Sequence, residues 1–153
     1  MTAENFDDGR TDVPGGLTGP VERVVVVGAG SAGLTVANAL AHAGVGCVVV
    51  EARDRVGGRL HTVDLAGSPV DLHAIPTAAA PTPTSPPGAS PADADLLGEP
   101  VGGRLLFAGE HTQSARLAYA DGAMTSGIRE AKRLLSQPSV HLGPVVTGHI
   151  RSE

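Results

Sequence analysis

The sequence predicts an α/β fold: a parallel sheet of about three strands with flanking helices, in two halves joined by a disordered Ala/Pro-rich linker. Three observations predict it. A β-branched run at 23–27 leads into a glycine turn, a segment of helical period and a second β-branched run at 47–51. A later stretch, 99–137, ends in apolar residues at helical spacing. Between the two lie 24 residues, 74–97, holding six of the twelve prolines and seven alanines.

Each element has its own signal. Residues 1–20 are polar and rich in Gly and Asp, which predicts a disordered tail without the basic and apolar regions of a signal peptide. The first half spans 21–73. It opens with a strand at 23–27, followed by a helix at 32–43 with Ser31 as its cap. Leu34, Ala37, Leu40 and Ala41 make the apolar face of that helix, Asn38 and His42 lie off it, and Gly44 ends it. The second strand is 47–51, and weaker strand signals fall at 62–65 and 69–72. In the linker, 74–98, proline removes backbone donors and fixes φ, so 74–97 is expected to form neither helix nor central strand. The second half, 99–137, should hold a strand at 104–108. Its last helix should start near Gly122, with Asp121 as cap candidate. Met124, Gly127, Ile128, Ala131, Leu134 and Leu135 form the stripe of this helix, and Pro138 stops it. The tail 138–153 shows no clear period.

Composition excludes several classes. A formal net charge of −5 lacks the footprint of a nucleic-acid binder. Residues 24–50 carry no Asp, Glu, Lys or Arg, yet β-branched runs, five glycines, Asn38 and His42 argue against a membrane span. The single cysteine, Cys47, sits in a strand. It is expected to be core, and a lone cysteine fits either a reducing, cytoplasmic setting or a chain that needs no staple. The six histidines are scattered without paired spacing, so no metal site is expected.

The densest chemical signal follows the first strand. Gly28-Ala29-Gly30-Ser31-Ala32-Gly33 is G-x-G-x-x-G between a strand and a helix. Gly28 permits the tight turn, Gly30 lets a pyrophosphate approach the backbone, and Gly33 lets the helix pack on the strand. The N–H groups at Ser31 and Ala32 belong to the positive end of that helix. Glu51 ends the next strand, 18 residues after Gly33, where a carboxylate can accept from the hydroxyls of a ribose. Its charge disfavours the 2′-phosphate of NADP and leaves NAD and FAD open. The pattern describes a Rossmann-like dinucleotide site.

Residues 51–59, EARDRVGGR, resemble the segment that follows the second strand in the flavin amine oxidase family, which includes the monoamine and polyamine oxidases. The likeness continues through Arg59-Leu60-His61-Thr62 and loosely through 67–72. GRLLFAGEHT at 103–112 and YADGAMTSGIREA at 119–131 resemble the family's C-terminal flavin-binding segment, in the same order. The resemblance implies FAD, held without a covalent bond because no Cys lies near Tyr119. It puts Ala52 and Arg53 on the adenosine side, and Gly57, Gly58 and Arg59 around the pyrophosphate. It makes 104–108 the strand that returns beside the first. It puts Gly109 and Glu110 at the pyrophosphate and ribityl chain, and Gly122, Ala123 and Met124 at the flavin pyrimidine edge. Tyr119 matches a position that supplies one wall of a cage for the substrate amine. An alternative for Tyr119 is an amphipathic surface tyrosine.

The resemblance also implies amine oxidation: hydride passes to flavin, and oxygen reoxidises it to give peroxide. Between Leu72 and Gly103 the likeness stops, and about 30 residues stand where family members carry a much longer segment. The only lysine is Lys132, and the aromatics are Phe6, Phe107 and Tyr119. A complete amine pocket is not assembled from this inventory, so turnover by the isolated chain is not expected. Three readings stay open: an enzyme of the family acting on a small-molecule amine, a non-catalytic FAD-binding module with or without a partner chain, and an inactive truncated remnant.

Overall fold

The structure, a computed structural model, describes residues 23–72, 86–117, 119–137 and 146–149. The tail expected at 1–20 and the linker up to residue 85 lie outside these residues.

The first half folds as its pattern predicts. Strand β1 (Val24–Val27) pairs in parallel with β2 (Cys47–Glu51), Val24 opposite Cys47 and Val27 opposite Val50. Helix α1 (Ser31–His42) forms the crossover. Strand alternation turns Val24 and Val26 inward with Cys47 and Val49. They pack with Val36, Ala37 and Leu40 of α1, with Val45, and with Leu134 from the far end of the chain. Burial pushes the Cys47 thiol pKa up, as suits a core cysteine. Helix α1 begins one residue earlier than expected, with Gly30 rather than Ser31 as its cap. Its buried positions are Ala32, Val36, Ala37 and Leu40, whereas Ala41 is exposed. The face is turned because α1 has two neighbours, the sheet and the last helix. At its end Gly44 takes φ +73°. The Gly44 and Val45 N–H groups donate to the carbonyls of Ala41 and Leu40, a Schellman closure with Val45 buried beside Leu40.

Strands β3 (Thr62–Leu65) and β4 (Ser68–Asp71) form an antiparallel hairpin, Val63 opposite Val70. Ala66 and Gly67 both take positive φ, which suits a two-residue turn. Asp64 accepts the Gly67 N–H at 2.8 Å. The second strand starts one residue before the expected 69.

The linker is not featureless throughout. Helix α2 (Pro91–Leu97) corrects the expectation that no helix forms in 74–97. Proline is the reason: Pro91 occupies the first turn, where its missing N–H has no partner to lose, and no proline follows until Pro100. The Asp93 carboxylate accepts the Ser90 N–H at 2.8 Å and closes the start of the helix.

Helix α3 (Ala120–Leu135) starts two residues before Gly122, with Tyr119 as N-cap and Asp121 inside the first turn. It packs along α1. Its buried residues are Gly122, Ala123, Ser126, Gly127, Glu130, Ala131 and Leu134. Met124, Ile128 and Leu135, expected in the stripe, are exposed. Small and polar residues face inward instead, because α3 lies close against α1 and a loop rather than on a wide apolar floor.

The third strand is not 104–108. Gly102 and Gly103 take φ of +61° and +65° and reverse the chain, so that Val101 and Leu105 bond to each other. Residues 106–108 join no ladder, although Leu106 packs on the core. The third parallel strand is β5 (Val146–His149), from the stretch expected to be tail. It pairs with β2, Val48 opposite Val146, giving the order β1-β2-β5. A parallel sheet of three strands with helices is therefore present, but its third member comes from elsewhere and lies on the other side of β2.

Candidate functional site

The glycine turn sits between β1 and α1 with its outer side open. Gly28 takes φ +100°, a conformation that favours glycine. A Cβ built on Gly28 or Gly30 meets no heavy atom within 4 Å. A Cβ on Gly33 would lie 2.1 Å from the Gly28 carbonyl oxygen and 3.1 Å from Val26 Cγ1. Gly33 is thus a packing glycine, whereas Gly30 faces free space. No side chain caps the N-terminus of α1, and the first N–H groups of a helix lack intrahelical partners. Ser31 and Ala32 open that helix.

Glu51 closes one side of the turn. Its carboxylate accepts the Ala29 N–H at 2.7 Å and the Arg53 N–H at 3.0 Å. Donation from Arg53, and next from Ala29, holds the Glu51 carboxyl pKa below the usual carboxylate range. Ala52 and Arg53 follow on exposed loop, and Arg53 Nη1 donates to the Gly58 carbonyl at 3.2 Å.

Residues 57–59 fold back over the turn. The Gly57 N–H donates to the Ala29 carbonyl at 2.8 Å, and Gly30 and Gly57 form an isolated parallel bridge. A Cβ on Gly58 would be 3.3 Å from Gly30 Cα, so two glycine backbones lie against each other here. Arg59 then reaches the second half. Its Nη1 and Nη2 meet the two carboxylate oxygens of Glu110 at 2.5 and 2.6 Å, a bidentate fork across 51 residues of sequence. Arg59 is half-exposed and Glu110 is buried.

Gly109 and Glu110 are held from behind by α3. The Gly109 N–H donates to Ser126 Oγ at 2.8 Å. Thr112 Oγ1 donates to the Gly109 carbonyl at 2.9 Å. Arg129 spans the same loop. Its Nη1 donates to the Thr112 carbonyl at 2.7 Å and its Nη2 to the Phe107 carbonyl at 3.1 Å. Its Nε meets buried Glu130 at 2.6 Å.

At the start of α3, Ala123 is buried, and Gly122 lies so near the Arg116 carbonyl that a Cβ would come within 2.1 Å of it. Met124 and Tyr119 are exposed, Tyr119 by 63%. Asp121 pairs with Arg116 at 3.3 Å.

The structure thus brings together Gly28 to Gly33, Glu51, Gly57, Gly58 and, through Arg59, Gly109 and Glu110. It encloses neither Tyr119 nor Met124. Sequence reading missed Ser126, Arg129, Glu130, Arg133 and Thr112. The available signal was charge inside the stripe of α3, where Arg129 and Glu130 lie between Ile128 and Ala131. Among the described residues, no group of three or more His, Cys, Asp or Glu could hold a metal, and no helix is long and apolar enough to cross a membrane.

The sequence profile of the family described as "Flavin containing amine oxidoreductase" matches residues 31–75 and 65–135. The chain belongs to this family. Both the front half of the site beyond the first glycines and the whole 109–124 region fall inside the match. Polyamine oxidase 3 of Oryza sativa subsp. japonica is 52% identical over 50 residues, 33% of this chain and 10% of that protein. Polyamine oxidase 1 of Zea mays is 45% identical over 53 residues, 34% of this chain and 11% of that protein. Among solved structures, wild-type putrescine oxidase bound to putrescine is 44% identical, with a TM-score of 0.31 over 37% of this chain and 13% of that one. The chain spans about a tenth of the length of the curated relatives it matches.

The residues present fit the flavin nucleotide that the family implies. An open backbone face at Gly28 and Gly30, a helix start without a side-chain cap, and a carboxylate at the end of β2 are what a dinucleotide needs.

Proposed function

We propose that this chain is an FAD-binding module of the flavin amine oxidase type. Gly28 to Gly33 and the start of α1 would receive the pyrophosphate, and Glu51 the adenosine ribose. Gly57 to Arg59 and Gly109 to Glu110 would close over the middle of the nucleotide. The Arg59–Glu110 fork carries this reading. It joins two segments that are far apart in sequence and that each resemble a flavin-binding segment of the family. Binding is non-covalent in this proposal, because Cys47 is buried in the core. The same lone thiol supports a reducing, cytoplasmic setting.

When bound, flavin supplies two-electron redox chemistry, which in an amine oxidase takes hydride from the carbon beside a neutral amine. The chain's own residues supply binding and orientation. Among the described residues, they do not supply a dry substrate pocket. Val25 and Val27 on the outer face of β1 are 55% and 84% exposed, and Tyr119 stands in solvent. Parallel sheets are ordinarily covered on both faces. We therefore expect FAD binding without amine turnover by these 153 residues.

The test is direct. The purified chain is equilibrated with FAD, and retained flavin absorbance and quenched flavin fluorescence are measured. Wild type should hold the flavin, and Gly30→Val should lose it. Failure of wild type to bind sinks the proposal. Amine-dependent peroxide release with putrescine or spermidine would overturn the expectation of no turnover.

A further inference from the structure

We propose that Arg129 is the positioning residue of the rear half of the flavin site, acting through the shape of its guanidinium rather than its charge. The inference rests on the FAD-binding reading for its effect on the ligand. Its structural basis is independent of that reading.

Gly109 leads into a single 3-10 turn, Glu110–Thr112, closed by the Thr112 N–H donating to the Gly109 carbonyl at 3.0 Å. The turn belongs to no sheet, so side chains set its alignment relative to α3. Arg129 bonds on both sides of the pair, to the Phe107 carbonyl at 3.1 Å before it and to the Thr112 carbonyl at 2.7 Å after it. Its Nη2 also donates to Thr112 Oγ1 at 3.1 Å, and that hydroxyl in turn donates to the Gly109 carbonyl. A fourth contact, to Gln113 Oε1 at 3.3 Å, extends the hold by one residue. One rigid plane thus fixes the backbone entering and leaving the pair.

The plane is itself fixed. Glu130, 2% exposed, accepts from Arg129 Nε at 2.6 Å and from Arg133 Nη1 at 3.0 Å. Arg133 Nη1 also donates to the Gly98 carbonyl at 2.7 Å, which ties the end of α2 to the same carboxylate. A buried carboxylate between two arginines orients both of them, because leaving it unpaired would be costly. The consequence reaches the site through Glu110, whose carboxylate must meet Arg59 after the loop has been set.

Lysine cannot replace this arrangement. A single ammonium keeps the charge beside Glu130 but cannot span the Phe107 and Thr112 carbonyls in one plane. A role in charge balance alone would be rescued by lysine; a role in positioning would not.

The test uses the full chain as wild type, Arg129→Lys and Arg129→Ala, with Leu40→Ala as a destabilised control in the core. In ligand-free protein, amide hydrogen exchange is read at Gly109 and Thr112, and at Leu34 and Val45 as references. We expect both Arg129 variants to speed exchange at Gly109 and Thr112 by about tenfold or more, with Leu34 and Val45 little changed. Leu40→Ala should speed all four together. With FAD as probe and each protein folded by circular dichroism, both Arg129 variants should raise the Kd by about tenfold and alter the bound-flavin absorption bands. Leu40→Ala should leave the bands of its bound flavin unchanged. Wild-type exchange rates in Arg129→Lys, or wild-type Kd and bands in that variant, overturn the inference. If wild type itself binds no FAD, the binding reading fails, and the exchange data alone then decide whether Arg129 sets the loop.

Discussion

The carboxylate of Glu51 accepts the N–H of Ala29 at 2.7 Å and so ties the end of β2 to the turn that leaves β1. The bond links the two strands at the end where the nucleotide would lie. It also has a sign that pH can read. Bonds from Arg53 and Ala29 favour the charged carboxylate and lower its pKa. A group whose folded pKa is depressed adds stability that is complete above its ordinary value, about 4.3 for Glu. That contribution is lost as pH falls from there through the folded value.

Glu51→Gln should therefore lose stability less steeply on acidification than wild type. Urea unfolding midpoints between pH 6 and pH 3 would show the two curves converging. Parallel curves across that range would mean that the Ala29 and Arg53 bonds do not bias the protonation of Glu51.

Gly30 and Gly33 separate binding from packing. A Cβ at position 30 enters open space, while one at position 33 strikes the Gly28 carbonyl. Gly30→Ala should cost less than about 1 kcal/mol of stability, the range of a changed N-cap, yet weaken FAD binding. Gly33→Ala should cost about 2 kcal/mol through overpacking. Denaturant unfolding and FAD titration of both variants check the contrast. Equal stability losses would remove the distinction between the two glycines.

The front half of the site was legible because its signals are contiguous. Strand, glycine turn, helix, strand and Glu51 follow within 28 residues, and each constrains the next. The rear half was legible in residue type and not in geometry. Residues 104–108 look like a strand by composition, but two left-handed glycines at 102 and 103 turn the chain and engage Leu105 with Val101. The actual third strand, β5, has four residues and contains Gly148, so it is too short to show a period and forms by pairing with distant β2. Non-local pairing of that kind leaves no periodic trace. The Arg129–Glu130–Arg133 group was hidden for a related reason: adjacent charges on a helix read as a solvated face until the loop that covers them is seen.

Arg59 and Glu110 should be coupled in a double-mutant cycle. The pair is bidentate, with one partner half-exposed and the other buried. Its coupling should fall between the values for surface and buried pairs, about 1 kcal/mol, and shrink in salt. Arg59→Ala should cost more than Glu110→Gln, because it leaves a buried carboxylate uncompensated. Unfolding free energies of wild type, the two single variants and the double variant give the coupling. A value of zero would mean that the fork does not couple Arg59 to Glu110 and would remove the observation that carries the FAD reading.

Gly127 sets the distance between α1 and α3. A Cβ there would lie 2.6 Å from the Ala32 carbonyl oxygen and 2.9 Å from Thr35 Cβ. Alanine is favoured over glycine in a helix by about 1 kcal/mol, whereas overpacking of rigid atoms costs about 1–3 kcal/mol. The clash involves backbone, so it should win, and Gly127→Ala should be net destabilising by about 1 kcal/mol. Thr35→Ala should not rescue it, because the Ala32 carbonyl and the β-carbon at position 35 both remain. The displacement has a functional reading as well. Ser126 precedes Gly127 and receives the Gly109 N–H, so a shifted α3 drags Gly109 and Glu110 with it. Gly127→Ala should then weaken FAD binding even where the protein is fully folded, as flavin fluorescence titration at low temperature would show. A stabilised Gly127→Ala variant with unchanged FAD affinity would mean that α1 and α3 are not held this close.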